Sequence, residues 1–243
     1  MSVATAARRI FRALGTLCFP PYCAACKSAT GPGIHLCADC AETVRHIVPP
    51  FCERCSQPFD GAITQAFTCP NCADREVHFE CAVAAFRSHG VVRDFIHDFK
   101  YNGQRHLLCP LADWLAHTLG DPRISSRPFD AFVPVPLHHI RFREREFNQA
   151  AELATLVSQR CGVPVLHALK RTRHTSTQTK LDRAERMENL RGAFRVRHIA
   201  GVKERHLVLV DDVFTTGSTV EECSRVLMRA GAASVRVITV ARG

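Results

Sequence analysis

Two kinds of hydrophobic pattern alternate along the chain from residue 80 onward. Short apolar runs, typical of strands, are followed by stretches in which apolar residues recur every three or four positions, as on a helix. The patterns predict strands at 82–86, 131–137, 165–169, 206–210 and 234–242, and helices at 92–101, 107–119, 147–161 and 218–231. Because strands that alternate with helices pair in parallel, we expect an α/β fold with a mostly parallel sheet and helices on both faces.

Two stretches of this region show neither pattern. Residues 138–146 are polar and predict a loop after the second strand. Residues 170–189 are charged, with little apolar periodicity, and predict a long segment without regular structure. A long irregular segment beside a binding site is often a lid that closes over it.

The first 22 residues predict a short amphipathic helix, because their apolar residues fall at helical spacing. A mitochondrial presequence would show a similar pattern, but the cysteines that begin at Cys23 leave it little room. No apolar run approaches the roughly 18 residues that a membrane-spanning helix needs. We therefore expect a cytoplasmic protein without a membrane span.

Eight of the 13 cysteines form four Cys-x-x-Cys pairs. Two thiolates at this spacing converge on one ion, and two pairs complete a tetrahedral site without an open position. Taken in chain order, the pairs predict two structural zinc sites, formed by Cys23, Cys26, Cys37 and Cys40 and by Cys52, Cys55, Cys69 and Cys72. A redox dithiol, an iron–sulfur cluster and interleaved pairing are the alternatives left open. We expect a zinc-ribbon domain at 23–75 and a larger domain at 80–243.

The net charge of +9 is concentrated in one segment. Residues 127–205 contain 16 lysines and arginines against 8 aspartates and glutamates, whereas the rest of the chain is nearly balanced. A local basic excess attracts phosphate groups, either of a small molecule or of a nucleic acid. A basic face that contacts only solvent explains the excess equally well.

Residues 208–219, VLVDDVFTTGST, place two carboxylates at the end of a buried strand and a loop of small hydroxyl residues directly after them. In parallel sheets, ligands bind beyond the carboxyl ends of the strands. Small residues let backbone N–H groups approach a phosphate, and the helix that follows favours negative charge. The carboxylates would repel a phosphate, so they suit sugar hydroxyls or a divalent cation. These features predict a site for a phosphorylated ribose, with an acidic helix cap as the alternative.

The same residues resemble the phosphoribosyl-diphosphate (PRPP) signature of type I phosphoribosyltransferases. The likeness extends over nearly all 243 residues to the ComF family of competence-associated proteins, in which a double zinc ribbon precedes a phosphoribosyltransferase domain. Besides the cysteine pairs and the signature, it is carried by DFKYNGQRHLLCPLADWLA (98–116), VPVPLHHIRFREREFNQAAELA (133–154) and LKRTRHTSTQTKLDRAERMENLRGAF (169–194). One departure is Glu146, where the family usually has glycine, so a positive φ there would strain this chain.

The resemblance implies roles for individual residues. Asp211 and Asp212 would hold the ribose hydroxyls directly or through Mg²⁺, and the hydroxyl-rich turn would surround the 5-phosphate. The residues of that turn are Thr215, Thr216, Gly217, Ser218 and Thr219. Two basic segments would contact the pyrophosphate or close over the site. Their candidate residues are Arg141, Arg143 and Arg145 in the first segment and Lys180, Arg183 and Arg186 in the second.

The ComF resemblance further implies a PRPP-binding protein that acts in DNA uptake during natural transformation. Single-stranded DNA would lie on the basic segment 127–205, and the nearly neutral zinc ribbon would dock a partner such as a helicase. The alternative is an active phosphoribosyltransferase that transfers the phosphoribosyl group from PRPP to an unidentified nitrogen acceptor and releases pyrophosphate. The intact Asp-Asp and Thr-Thr-Gly residues suit both hypotheses.

Overall fold

The computed structural model describes residues 21–61, 63, 65–73, 76–173 and 183–243. The chain forms two compact units, one up to Arg45 and one from His46 to Gly243. The helix predicted within the first 22 residues lies outside the described residues, apart from the last two positions. The predicted domain bounds, 23–75 and 80–243, stay predictions.

The described part of the first unit, residues 21–45, consists mainly of turns. Tyr22 pairs with Ala29 in an isolated antiparallel bridge, and helix α1 follows at Ala38–Glu42. None of the α1 residues is buried. Because a segment this small cannot bury enough apolar surface to fold alone, its cysteines must provide its stability by binding a metal.

The second unit contains a parallel sheet at its centre. The strands of this unit are β1 (Ala82–Arg87), β2 (Ala131–Pro134), β3 (Leu169–Arg171), β4 (Phe194–Val196), β5 (His206–Phe214) and β6 (Ser234–Arg242). Four of them form the sheet in the order β1-β6-β5-β2, and every pair is parallel. The inner strands β5 and β6 are almost entirely buried, which explains the near-continuous apolar runs that predicted them. The predicted fold class is confirmed.

The described part of the second unit also contains eight helices. They are α2 (Pro70–Ala73), α3 (Gly90–Tyr101), α4 (Leu108–His117), α5 (Pro122–Ser125), α6 (His139–Arg145), α7 (Gln149–Cys161), α8 (Arg183–Leu190) and α9 (Ser218–Arg229), with 3₁₀ turns at Arg105–Leu107, Thr118–Gly120 and Ile199–Gly201. In α9, Val220 and Leu227 share a core with Leu207 and Leu209 of β5, while α4 and α7 contact the strands as well. Among the described residues, no helix combines the length and the apolar character needed to cross a bilayer.

The polar stretch at 138–146 was predicted to be a loop, and this prediction is wrong. It contains helix α6, whose start is capped by His138: the side chain of His138 accepts a hydrogen bond from the N–H of Ile140. None of the α6 residues is buried. A helix that buries no face has no apolar stripe, so periodicity could not detect it.

The strand predicted at 165–169 is largely replaced by an irregular segment. Val165 forms only an isolated bridge to Phe132, and regular pairing begins at Leu169, where β3 joins β4 in a separate antiparallel ribbon. The stretch 170–189, predicted without regular structure, therefore begins within β3, and α8 starts at its far end. Residues 174–182 between them lie outside the described residues.

Glu146 ends α6 in the left-handed region, with a φ of 65°. This conformation costs a residue with a Cβ atom roughly 1–2 kcal/mol, whereas glycine adopts it freely. We expect Glu146→Gly to raise the free energy of unfolding by about 1 kcal/mol, measured by urea denaturation followed by circular dichroism. Glu144→Gly is the matched control, because Glu144 lies inside α6, where glycine costs about 1 kcal/mol. A loss of stability in both variants would contradict the strain at Glu146.

Candidate functional site

The two groups of four cysteines are built on the same backbone turn. In the first group, the N–H of Lys27 donates to the carbonyl of Cys23 at 2.9 Å, and in the second the N–H of Ser56 donates to the carbonyl of Cys52 at 2.8 Å. Lys27 and Ser56 both lie in the left-handed region, with φ values of 66° and 55°. In each group this turn brings the two thiols of the first Cys-x-x-Cys pair together.

The four Sγ atoms of each group lie within 4.8 Å of one another. The first tetrad is Cys23, Cys26, Cys37 and Cys40, and the second tetrad is Cys52, Cys55, Cys69 and Cys72. The Sγ atoms of Cys55 and Cys69 are 3.6 Å apart, close to the separation of about 3.8 Å in a tetrahedral site with Zn–S bonds of about 2.3 Å. The predicted pairing in chain order is confirmed, and both tetrads fit structural zinc.

The two tetrads differ in how far they are buried. All four cysteines of the second tetrad are buried, whereas only Cys23 of the first is. Burial raises the pKa of Cys23, but hydrogen bonds from the backbone at Cys26 and Cys37 outweigh it and lower that pKa to about 6. The thiolate, which is the form that zinc binds, is therefore favoured at this position.

Asp211 and Asp212 lie near the carboxyl end of β5, in the middle of the sheet. Asp212 is buried, and the Nζ atom of Lys100, near the end of α3, contacts its Oδ2 atom in an ion pair. Apart from this ion pair, Oδ2 accepts no hydrogen bond from the described residues. Since buried oxygens in proteins are normally hydrogen-bonded, this carboxylate suits a cation or a hydroxyl group from a ligand.

Burial is the largest influence on the pKa values of Asp211 and Lys100. It raises the pKa of Asp211 to about 6, although the positive charges of Lys100, Arg145 and Arg171 oppose the shift. It lowers the pKa of Lys100 to about 8, against the attraction of Asp211 and together with the repulsion of Arg145. An acid and a base whose pKa values are displaced by burial and by specific charges are typical of functional sites.

The loop after β5 takes its shape from Gly217. This residue has a φ of 78°, and a Cβ atom on it would lie 2.4 Å from the ring of Phe214, so only glycine fits. Gly217 is also the N-cap of α9, whose first N–H groups have no partner within the helix. The hydroxyls of Thr216 and Ser218 lie beside it, 2.9 Å apart. A helix amino end with hydroxyls around it is a suitable site for an anion. Residues 215–219 are called the phosphate loop below.

Arg242 supports the phosphate loop from β6, and it was missed in the sequence. Its Nη1 atom donates to the carbonyl oxygens of Phe214 at 3.0 Å and Thr215 at 2.7 Å, and its guanidinium lies over the ring of Phe214 at 5.0 Å. The available signal was a charge at the end of a mostly apolar strand. Lys100 was missed as well. It follows Ile96 by four positions, which places its charge on the buried face of α3.

Three arginines that were predicted to contact pyrophosphate lie on α6, and among them Arg145 affects the ionisation of Asp211. Its guanidinium lies over the ring of Tyr101 at 4.6 Å, and its charge favours the ionised form of Asp211. Arg171, the last residue of β3, acts on Asp211 in the same way and was not predicted. Three cations from separate elements therefore surround one carboxylate.

The other predicted basic residues have less to do with the acidic pair. Arg141 forms an ion pair with Glu144 on its own helix, with 3.2 Å between Nη1 and Oε2, and Arg143 is exposed. Lys180 lies outside the described residues. The backbone of Arg183 and Arg186 belongs to α8, and the positions of their side chains stay predictions.

Comparison with known protein families assigns the cysteine tetrads and the acidic pair to two different family models. Residues 14–75 match the family described as the double zinc ribbon domain. Residues 148–243, which include the acidic pair and the phosphate loop, match the phosphoribosyl transferase domain. The fold and the site thus define a phosphoribosyltransferase-type domain preceded by zinc ribbons.

Two curated relatives share most of their length with this chain. Competence protein F of Haemophilus influenzae is 32% identical over 217 residues, which cover 85% of this chain and 90% of that protein. The DNA utilization protein YhgH of Escherichia coli is 32% identical over 231 residues, which cover 90% of this chain and 89% of that protein. The chain belongs to the ComF family.

Among solved structures, the chain is 21% identical to a glutamine PRPP amidotransferase from B. subtilis. That match has a TM-score of 0.35 and covers 58% of this chain and 26% of the other. The chain thus spans about a quarter of the length of that enzyme.

The charge of Lys100 gives the acidic pair a testable property. Lys100→Gln should raise the pKa of Asp211 above the value of about 6, because the positive charge that favours the carboxylate is removed while burial remains. A carboxyl ¹³C NMR titration measures the midpoint directly. Lys203→Gln, at an exposed lysine that pairs with Glu204, is the control and should leave the midpoint unchanged. If Lys100→Gln also left it unchanged, Lys100 would have no influence on Asp211.

Proposed function

We propose that this chain is a cytoplasmic protein that binds PRPP at the carboxyl end of β5 and acts in DNA uptake. The observation that carries the proposal is a carboxylate pair, the partly buried Asp211 and the buried Asp212, shortly before a glycine turn that opens a helix. The names of the relatives, competence protein F and DNA utilization protein YhgH, support a role in handling DNA.

In the proposed complex, the phosphate loop holds the 5-phosphate through its backbone N–H groups and hydroxyls. Asp211 and Asp212 accept hydrogen bonds from the ribose hydroxyls. The same carboxylates would hold Mg²⁺, which when bound neutralises charge on the pyrophosphate. The contact of Asp212 Oδ2 with the ammonium of Lys100 shows that this oxygen already attracts a cation. Arg145 and Arg171 place positive charge beside the pair, as a pyrophosphate requires.

Calorimetric titration of the zinc-loaded protein with PRPP and Mg²⁺ tests this proposal. The wild type should bind, and the variant with Asp211→Asn and Asp212→Asn should show no measurable binding, because both acceptors for the ribose are lost. A variant with Asp94→Asn and Asp98→Asn is the matched control, since it removes two charges from exposed acids of α3. No binding by the wild type would overturn the proposal.

An active phosphoribosyltransferase is the second candidate function. It is favoured by the group of Lys100, Arg145 and Arg171 around Asp211, because departure of pyrophosphate develops negative charge that fixed cations stabilise. The reaction would displace pyrophosphate from the anomeric carbon by a nitrogen nucleophile. It needs positioning and exclusion of water more than a strong base. Release of pyrophosphate in the presence of candidate nitrogen acceptors would distinguish an enzyme from a PRPP-binding protein.

The β3–β4 ribbon is the best candidate for contact with single-stranded DNA. Lys170 and Arg195 are directly opposite each other in its register, and both are exposed. Like charges in opposite positions of a ribbon repel each other, so an anionic partner would relieve this repulsion. The ribbon lies in the segment 127–205, which holds most of the positive charge of the chain. Docking of a helicase by the zinc ribbons stays a prediction.

Fluorescence anisotropy with a labelled single-stranded oligonucleotide tests the ribbon. A variant with Lys170→Gln and Arg195→Gln should weaken binding and reduce the slope of log K against log salt by about 1.4, since each phosphate contact on a single strand contributes about 0.7. The control is a variant with Arg205→Gln and Arg229→Gln, which removes two other exposed charges. Equal losses in both variants would show that net charge, rather than the ribbon, determines DNA binding.

A further inference from the structure

Glu221 is a buried carboxylate beside the phosphate loop that the proposed function does not use. It lies in the first turn of α9, and its side chain is 8% exposed. Its Oε1 atom lies 2.6 Å from Nδ1 of His78, and its Oε2 atom accepts a hydrogen bond of 3.1 Å from the backbone N–H of His78. Both oxygens are therefore used to hold a single residue.

His78 belongs to the segment 76–81, which enters β1. The next residue, Phe79, packs edge-on against Phe214, with 6.0 Å between the ring centroids and 83° between the ring planes. The ring of Phe214 is the surface against which Gly217 is packed. The segment thus contacts the phosphate loop region at two points, through Glu221 at the start of α9 and through Phe214 before the loop.

The other end of this segment leads into Ala82 of β1, which is hydrogen-bonded to residues beside the second tetrad. Ala82 donates its N–H to the carbonyl of Arg54 at 2.7 Å and accepts the hydroxyl of Ser56 at 2.8 Å. Arg54 and Ser56 flank Cys55, a member of the tetrad. All four cysteines of the second tetrad share one core with Phe79 and Phe214. The cysteines, the segment 76–81 and the start of α9 therefore pack as one continuous body.

We propose that Glu221 is a positioning residue for the phosphate loop, that His78 anchors it, and that the second tetrad with its metal holds this anchor. The proposal rests on the proposed binding of PRPP. The proposal predicts different roles for the two tetrads, although both consist of four cysteines, because the first tetrad belongs to the other compact unit. Metal loss from the second tetrad should weaken PRPP binding, and metal loss from the first should not.

The hydrogen bonds of Glu221 are tested by two substitutions. Glu221→Ala loses both bonds and should weaken PRPP binding roughly tenfold. Glu221→Gln should bind like the wild type, since its amide oxygen accepts the N–H of His78 and its amide nitrogen donates to Nδ1 once the imidazole changes tautomer. Equal effects of alanine and glutamine would show that the charge acts rather than the hydrogen bonds, and would overturn the proposal.

Amide hydrogen exchange at residues 216–220, followed by mass spectrometry, provides a readout that does not depend on PRPP. Exchange should be faster in Glu221→Ala than in the wild type, and unchanged in Glu221→Gln. If the wild type bound no PRPP but exchange still increased in Glu221→Ala, the proposed function would fail while the positioning role stood. Unchanged exchange in Glu221→Ala would overturn the positioning role itself.

The second tetrad is tested by paired cysteine variants of the full chain. Cys26→Ser with Cys37→Ser removes the first site, and Cys55→Ser with Cys69→Ser removes the second; zinc content should fall from two ions to one in each. Only the second variant should lose PRPP affinity, by at least the factor seen for Glu221→Ala. Equal affinities in both variants would overturn the link to the tetrad. If the second variant did not fold, Ser56→Ala would take its place, because it removes the hydroxyl bond to Ala82 and leaves all eight cysteines. Unchanged exchange at residues 216–220 in Ser56→Ala would then overturn the link to the tetrad.

Discussion

The placement of two carboxylates in a central strand, Asp212 buried and Asp211 partly buried, is the constraint on which the second unit depends. Removing Asp211 and Asp212 from water is costly unless positive charge is brought to them. That charge arrives from three elements far apart in the chain, as Lys100 on α3, Arg145 on α6 and Arg171 on β3. The helices and the ribbon around the carboxyl end of β5 are thus organised by electrostatics as well as by apolar packing.

Phe214 has a comparable role for the phosphate loop. Its ring leaves room only for glycine at position 217, lies under the guanidinium of Arg242 and meets Phe79 edge-on. One aromatic side chain therefore fixes the turn from three sides, including a side built from the segment that follows the second tetrad. A turn held in this way is prepared for an anion without further ordering, which reduces the entropic cost of binding.

The features that could be predicted from sequence are those fixed by neighbouring residues. Cysteine spacing identified both tetrads, and buried apolar runs identified β5 and β6. Helix α6 and the β3–β4 ribbon were missed because they bury few residues and leave little periodic signal. Lys100 and Arg242 were missed for another reason: their partners, Asp212 and Phe214, are more than 25 positions away in the chain. No local pattern reports such contacts.

The two tetrads use one backbone turn, with Lys27 and Ser56 in corresponding positions, but only the second is enclosed by its surroundings. Chelators and competing proteins reach exposed thiolates more readily than buried ones. This difference in burial predicts that the first tetrad loses its metal before the second. In a cell short of zinc, the first unit would give up its ion while the domain with the acidic pair kept its own, so scarcity would produce a one-ion form in which only the first unit is unfolded.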